Sequence, residues 1–265
     1  MPVIDLLIGI FVTLLGLAFG SFLNVCIARL PRHESIVHPP SHCPRCSEPI
    51  RAWDNIPLLS YLILRGRCRS CHGSISWRYP AVEFANAALW LACFLQFGAT
   101  LQTAFMSVLC FLALGLAVMD AETLLLPDAF TLPGIFLGIL WCAADISGSW
   151  EPRLRAAGMS LLWAVAAAAL ILAIRAAYRL VRRREGMGLG DAKLFAMLAA
   201  WLGPENALLV LFAAVVVGAL YGILALAGGR GAGSKVPLGS FLCLAAIYAV
   251  FAGPQTIAWY LGFFR

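Results

Sequence analysis

Asp120 and Asp191 are the residues of this 265-residue chain best placed to do chemistry. Asp191 closes the stretch Gly186-Met187-Gly188-Leu189-Gly190-Asp191, set between the basic cluster Arg182, Arg183, Arg184 and a short apolar segment starting at Ala192. A carboxylate at the mouth of a membrane helix is expensive and calls for a reason. Asp120 supplies one: it ends another apolar run, 105–119. Two carboxylates at the ends of two membrane helices can form one acid/base pair that activates water, one ionised and the other protonated. Close carboxylates share a proton more readily than both ionise. No Ser-His or Cys-His set competes, because all four histidines lie between positions 33 and 72. The expected chemistry is therefore hydrolysis of the aspartic type, without a covalent intermediate.

Other residues near the pair have a second, structural reading. Asp128 follows Leu126-Pro127, where a helix cap or first-turn acid is expected. Asp120 has no such explanation, since a carboxylate at a helix C-terminus meets the wrong end of the helix dipole. Glu83 near the start of its span is favourable to the dipole, and is kept beside that as a functional candidate. Gly188 and Gly190 let the backbone bend and pack closely. Lys193 either screens the pair or snorkels to lipid headgroups.

A second constellation lies at Cys43-Pro44-Arg45-Cys46 and, 21 residues on, Cys68-Arg69-Ser70-Cys71. Two Cys-x-x-Cys knuckles at this spacing are the pattern of a four-thiolate zinc ribbon. Such a site closes a segment too small to rely on an apolar core. His42 and His72 adjoin the knuckles as bystanders, the sulfur set being complete. The other five cysteines, Cys26, Cys93, Cys110, Cys142 and Cys243, lie singly in apolar runs, where cysteine behaves as a small hydrophobe. The grouping argues for metal and a reducing membrane face. Between the knuckles, apolar residues from Trp53 to Leu64 alternate with turn residues, and packing into the ribbon's core is favoured over lying on the membrane surface.

These groups need a scaffold, and composition names it. Hydrophobic residues make up 62% of the chain and charged residues 12%, with a mean hydropathy of +0.89; soluble domains carry roughly 25% charged residues. The chain is an all-α polytopic membrane protein in contact with the lipid bilayer along most of its length. About eight spans are expected: 3–27, 79–97, 102–119, 128–146, 156–178, 192–202, 207–226 and 235–260. The first is read as a retained helix, because Asp5 stands where a signal peptide carries basic residues. Ser21 and Asn24 within it are expected to face protein or a cavity. The segment 192–202 is too short to span, which places Asp191 below the membrane surface or thins the bilayer there. The chain divides into the first helix (1–30), a cysteine domain (31–80) and a transmembrane peptidase domain (81–265).

Eight spans put both termini on one side. The ribbon, the Asp120–Asp128 connection, the Arg182–Asp191 loop and the loop with Arg230 and Lys235 face the other, and hold most of the Lys and Arg. Only Arg153, Arg155 and Arg265 oppose them. The bias places the ribbon and both aspartates on the cytoplasmic side. It also accounts for the formal charge of +6 without nucleic acid as a partner.

In order and spacing the chain resembles the type IV prepilin peptidase family, the leader peptidases of pilus and type II secretion systems. The residues that carry this are Gly20-Ser21-Phe22-Leu23-Asn24-Val25, both knuckles, Asn55-Ile56-Pro57, Tyr79-Pro80 with Glu83, Asp120 with Pro127-Asp128, Gly188-x-Gly190-Asp191-x-Lys193, and Pro237-Leu238-Gly239. Ser240 departs from the proline that often follows in the family. The resemblance implies an intramembrane aspartic protease of the GxGD type, with Asp120 and Asp191 catalytic and no metal required for proteolysis. It implies cleavage of a short basic leader from prepilins or pseudopilins in the bacterial inner membrane. It further implies N-methylation of the new amino terminus from S-adenosylmethionine. A peptidase without the methyl transfer, a transporter and a non-catalytic assembly factor are the alternatives. The scarcity of charges deep within the spans weighs against the transporter.

Overall fold

The computed structural model describes residues 3–146, 149–183, 187–228 and 236–264. Eight α-helices follow in order: α1 (Val3–Arg29), α2 (Leu59–Ile63), α3 (Arg78–Phe97), α4 (Leu101–Thr123), α5 (Asp128–Ala144), α6 (Trp150–Arg182), α7 (Leu189–Ala227) and α8 (Leu238–Gly262). Among the described residues there is no strand beyond two isolated bridges. Six helices (α1, α3, α4, α6, α7 and α8) are long and apolar enough to cross a membrane, and α5 is a shorter apolar helix. This is a multi-pass membrane protein. Gly148, Arg184, Gly186, Arg230, Lys235 and Arg265 lie outside the described residues.

The segments expected at 192–202 and 207–226 are two limbs of α7. They meet at Gly203, whose φ of 74° and ψ of 173° interrupt the helix, and Pro204 follows. That conformation ends one helix, and Pro204, whose fixed φ suits a first helical position, opens the next, so the two expected segments are two helices joined at a kink. Glycine alone adopts that φ and ψ at little cost.

The chain falls into two compact units, Met1–Gly115 and Leu116–Arg265, the division lying inside α4. In the first, α1 packs along α3. A Cβ on Gly16 would come within 2.8 Å of the Ala87 Cα, and one on Gly20 within 2.7 Å of the Glu83 Cα. Two glycines four apart thus bring the backbones together, as small residues do between membrane helices. Hydrogen bonds fasten the seam. Asn86 donates to the Gly16 carbonyl at 2.7 Å and Asn24 to the Tyr79 carbonyl at 3.0 Å. Asn24 is buried, and Ser21 hydrogen-bonds Glu83, so both polar residues of the first span face protein as expected.

In the second unit the limb 189–202 is central. Leu194 to Trp201 is buried throughout. Trp201 donates its indole N–H to the Gly134 carbonyl of α5 at 2.7 Å, and Ser160 of α6 donates to the Ala200 carbonyl at 2.9 Å. A segment too short to cross hydrocarbon is covered by protein on several sides, which meets the demand that polar backbone at depth be buried.

Candidate active site and cysteine cluster

The two knuckles are copies of one turn. In the first, Cys43 N–H bonds the Glu48 carbonyl at 3.0 Å and Ser47 N–H the Cys43 carbonyl at 2.9 Å. In the second, Cys68 N–H bonds the Gly73 carbonyl at 2.8 Å and His72 N–H the Cys68 carbonyl at 3.0 Å. Bridges His42–Pro49 and Arg67–Ser74 flank them at matching offsets. Ser47 and His72 take the same left-handed φ, 58° and 54°. His72 is thus a turn residue, and the His42 ring bonds the Pro40 carbonyl at 3.1 Å.

The folded knuckles bring the Cys43, Cys46, Cys68 and Cys71 sulfurs within 4.8 Å of one another, with Cys43 and Cys71 Sγ 3.9 Å apart. A tetrahedral zinc site with bonds of about 2.3 Å has sulfurs about 3.8 Å apart, so the cluster fits a metal ion. Backbone N–H groups of Cys46 and Arg45 hold the Cys43 thiol down to about 6, which favours the thiolate that a metal binds.

The apolar residues between the knuckles do not form a core. Trp53, Ile56, Leu59, Leu62 and Ile63 are exposed. The physical reason is that the paired turns and four sulfurs already close the ribbon, leaving no interior for them. Trp53 is instead flanked by ionic contacts: Arg69 clasps Asp54 with two bonds of 2.8 and 2.6 Å, and that guanidinium holds the Asp54 carboxyl below its usual range.

In the second unit, Asp120 near the end of α4 is only 5% exposed. Its Oδ2 accepts the Ser240 backbone N–H at 2.7 Å and lies 3.1 Å from Ser240 Oγ. The Ser240 hydroxyl is also 2.8 Å from the Ala117 carbonyl, so its single proton serves one of the two oxygens. Ser240 stands in the first turn of α8, where free N–H groups and the helix dipole favour an anion. The wrong dipole end that α4 offers Asp120 is therefore offset by the right end of α8. The approach depends on Gly239, where a Cβ would lie 3.0 Å from both the Asp120 carboxyl carbon and Leu126.

Asp191 stands in the first turn of α7, and its Oδ2 accepts the Gly188 N–H at 2.9 Å, capping the helix. A Cβ on Gly190 would meet Leu126 at 3.1 Å, so Leu126 packs against both Gly190 and Gly239. Asp120 lies within electrostatic reach of Asp191. The two aspartates therefore share one region of the second unit. Asp128, in the first turn of α5, pairs with neither. It takes Lys193 Nζ at 2.6 and 2.8 Å, tying the starts of α5 and α7 together. Lys193 thus contacts a third carboxylate.

Glu83 belongs to the first unit, where it is buried and accepts the Leu58 N–H at 2.8 Å. Sequence reasoning missed Ser240 and Leu126 as partners of the aspartate region. The signal for Ser240 was its departure from proline, since only a residue with an N–H makes this contact.

A buried aspartate under one helix N-terminus, a second capping another, and a sulfur cluster in a loop between membrane helices define a class of polytopic protein with two separate polar sites. Two family models match the chain: the bacterial peptidase A24 N-terminal domain over residues 14–97 and the type IV leader peptidase family over residues 106–223. Prepilin leader peptidase/N-methyltransferases are similar over 77–92% of their length. The protein from Pseudomonas putida is 36% identical, over 93% of this chain and 91% of its own. That from Pseudomonas aeruginosa is 37% identical over 94% and 92%, and that from Neisseria gonorrhoeae 37% over 77% of each. No solved structure matches. The chain belongs to the type IV leader peptidase family.

Proposed function

We propose that this protein cleaves the short leader from type IV prepilins or pseudopilins and N-methylates the amino terminus so exposed, with S-adenosylmethionine as methyl donor. The observation that carries the cleavage is the shared placement of Asp120 and Asp191 in the second unit, where Leu126 packs against both Gly190, beside Asp191, and Gly239, beside Asp120. The methyl transfer draws its support from the relatives' shared name.

Asp120 and Asp191 are assigned the catalytic roles. The ionised carboxylate takes a proton from water, and the resulting hydroxide attacks the scissile carbonyl. The protonated partner gives its proton to the carbonyl oxygen, yielding a neutral tetrahedral diol. The carboxylic acid formed in the first step then protonates the leaving nitrogen as the C–N bond breaks, while the other aspartate, ionised since it gave up its proton, takes one from a diol hydroxyl, leaving the product carboxylic acid and one proton on the pair. The Ser240 N–H holds one Asp120 oxygen, fixing the carboxyl plane so that the other oxygen faces its reactants. Cys43, Cys46, Cys68 and Cys71 would hold zinc in a closed structural site, where four thiolates leave no open position for substrate. The Lys and Arg bias supports a cytoplasmic position for the ribbon and the aspartates, and the bacterial relatives support the inner membrane.

The test is mass spectrometry of a prepilin-like substrate incubated with the purified protein, with and without S-adenosylmethionine. Expected are loss of the leader, absent in Asp120→Asn and in Asp191→Asn, and an added methyl mass only with the donor. Substantial leader removal by either variant overturns the pair. An intact substrate with the wild-type protein, its zinc retained, overturns the peptidase reading in favour of an assembly or transport role.

A further inference from the structure

The apolar residues left uncovered beside the cysteine cluster are arranged, not scattered. Leu59, Leu62 and Ile63 stand at i, i+3 and i+4 of α2, one face of a helix, and are 49%, 71% and 65% exposed. Ser60 turns the other way and is buried, its hydroxyl donating to the Trp53 carbonyl at 2.9 Å. Trp53 and Ile56 in the preceding turn are exposed as well. Exposed apolar side chains grouped on an otherwise polar loop mark an interaction site.

Its position says what it meets. Leu58, the residue before α2, donates its N–H to Glu83 at 2.8 Å. Glu83 lies about 8 Å along α3 from Arg78, at 1.5 Å per residue, and α3 is a membrane-crossing helix. The start of α2 is therefore pinned beside the first turns of a span. Leu58 has φ 60° and ψ −49°, a conformation a leucine holds only where its surroundings impose it. On α3 the neighbour Phe84 is exposed, so the lipid-facing surface of the span continues at the level of the pin. Charge agrees. The segment 31–80 carries seven arginines against Glu34, Glu48 and Asp54. Arg51, Arg65 and Arg67 are exposed on either side of α2, and the Arg51 guanidinium sits 5.7 Å from the centre of the Trp53 ring. An apolar face, an indole at its edge and arginines around it are what the boundary between headgroups and acyl chains selects.

We propose that α2, with Trp53 and Ile56, is an interfacial anchor. It lies in the headgroup–acyl boundary of the leaflet at which α1 leaves and α3 enters the bilayer, with Glu83 fixing its depth. The cysteine ribbon is then seated on an anionic lipid surface and does not tumble on its tethers.

Two measurements on the full-length protein test this. In the first, p-benzoylphenylalanine replaces Leu62, whose side chain is exposed. The protein is reconstituted in phosphatidylethanolamine/phosphatidylglycerol vesicles and irradiated with a prepilin-like peptide present. A lipid adduct is expected; an adduct to the peptide, or none, overturns the anchor. In the second, the emission difference between wild type and Trp53→Phe isolates one indole. Lipids brominated near the carbonyl should quench that component several-fold more than aqueous acrylamide does, and the reverse order overturns the proposal.

Discussion

Each cysteine knuckle is closed by hydrogen bonds among eight consecutive residues, whereas Asp120 is held by a serine 120 positions away. The two polar sites of this protein are thus built in opposite ways. The ribbon loop carries its partners in its own neighbourhood, because a short polar segment outside the spans has no larger core to draw on. Asp120 sits at a buried helix end where the local dipole is unfavourable, so its compensation has to come from another helix, and the first turn of α8 supplies it. The first arrangement tolerates changes elsewhere in the chain. The second fails if any of three distant segments shifts.

Crossing the two sites gives the largest effects. Asp120→Asn should lower leader cleavage by about 10³-fold or more, the scale of a lost acid–base group, while retaining full metal content by elemental analysis. Cys43→Ser should release the metal while leaving the helical circular dichroism of the spans in place. A single variant that lost both metal and the fold of the second unit would merge the two sites into one.

Ser240 sharpens the comparison at an intermediate scale. Ser240→Pro deletes the 2.7 Å N–H bond to Asp120. Hydrogen bonds to charged groups are worth about 1.5–3 kcal/mol, so cleavage should fall roughly 10- to 100-fold. Ser240→Ala keeps that N–H and loses only the hydroxyl, and should cost about fivefold or less. Equal losses in the two variants would show that the backbone bond is not what holds the carboxylate.

Smaller still is the Lys193–Asp128 pair. Its side chains are 37% and 56% exposed, and exposed ion pairs contribute about 0–1 kcal/mol. Asp128→Asn should therefore keep cleavage within about fivefold of wild type, which separates this third carboxylate from the proposed catalytic pair in the same assay.

The smallest effect is a pH dependence in the ribbon. Arg69 depresses the Asp54 carboxyl in the folded state. Its contribution is fully present above the ordinary aspartate value of about 3.9, and is lost as pH falls through the lower folded value. Acid titration of Trp53 emission should show this step in the wild type and lose it in Asp54→Asn. A step on the alkaline side of neutrality would contradict the assignment.

Much of this was open to a reader of the sequence. Hydropathy gave the spans, and the Cys-x-x-Cys spacing gave a cluster whose sulfurs do converge. Polar residues within spans were legible by their cost, as Asn24 illustrates by bonding across to Tyr79. The partners were less legible. Lys193 had two readings, and Asp128 is a third that no periodicity signals. The linker from Trp53 to Leu64 reads as core because apolar residues usually are, and its exposure became visible only once the knuckles were seen to close without it.

The sequence by itself determined that this is a membrane protein of apolar helices, that two aspartates stand at helix ends, and that four cysteines lie in two Cys-x-x-Cys pairs. Those properties follow from composition, period and short-range spacing, which are local along the chain. The tertiary structure alone decided which helix end compensates Asp120, which carboxylate takes Lys193, and that α2 turns its leucines outward. Each depends on segments far apart in sequence meeting in space. The free energy of such a meeting is set by what every other segment leaves unsatisfied, and no local pattern encodes it.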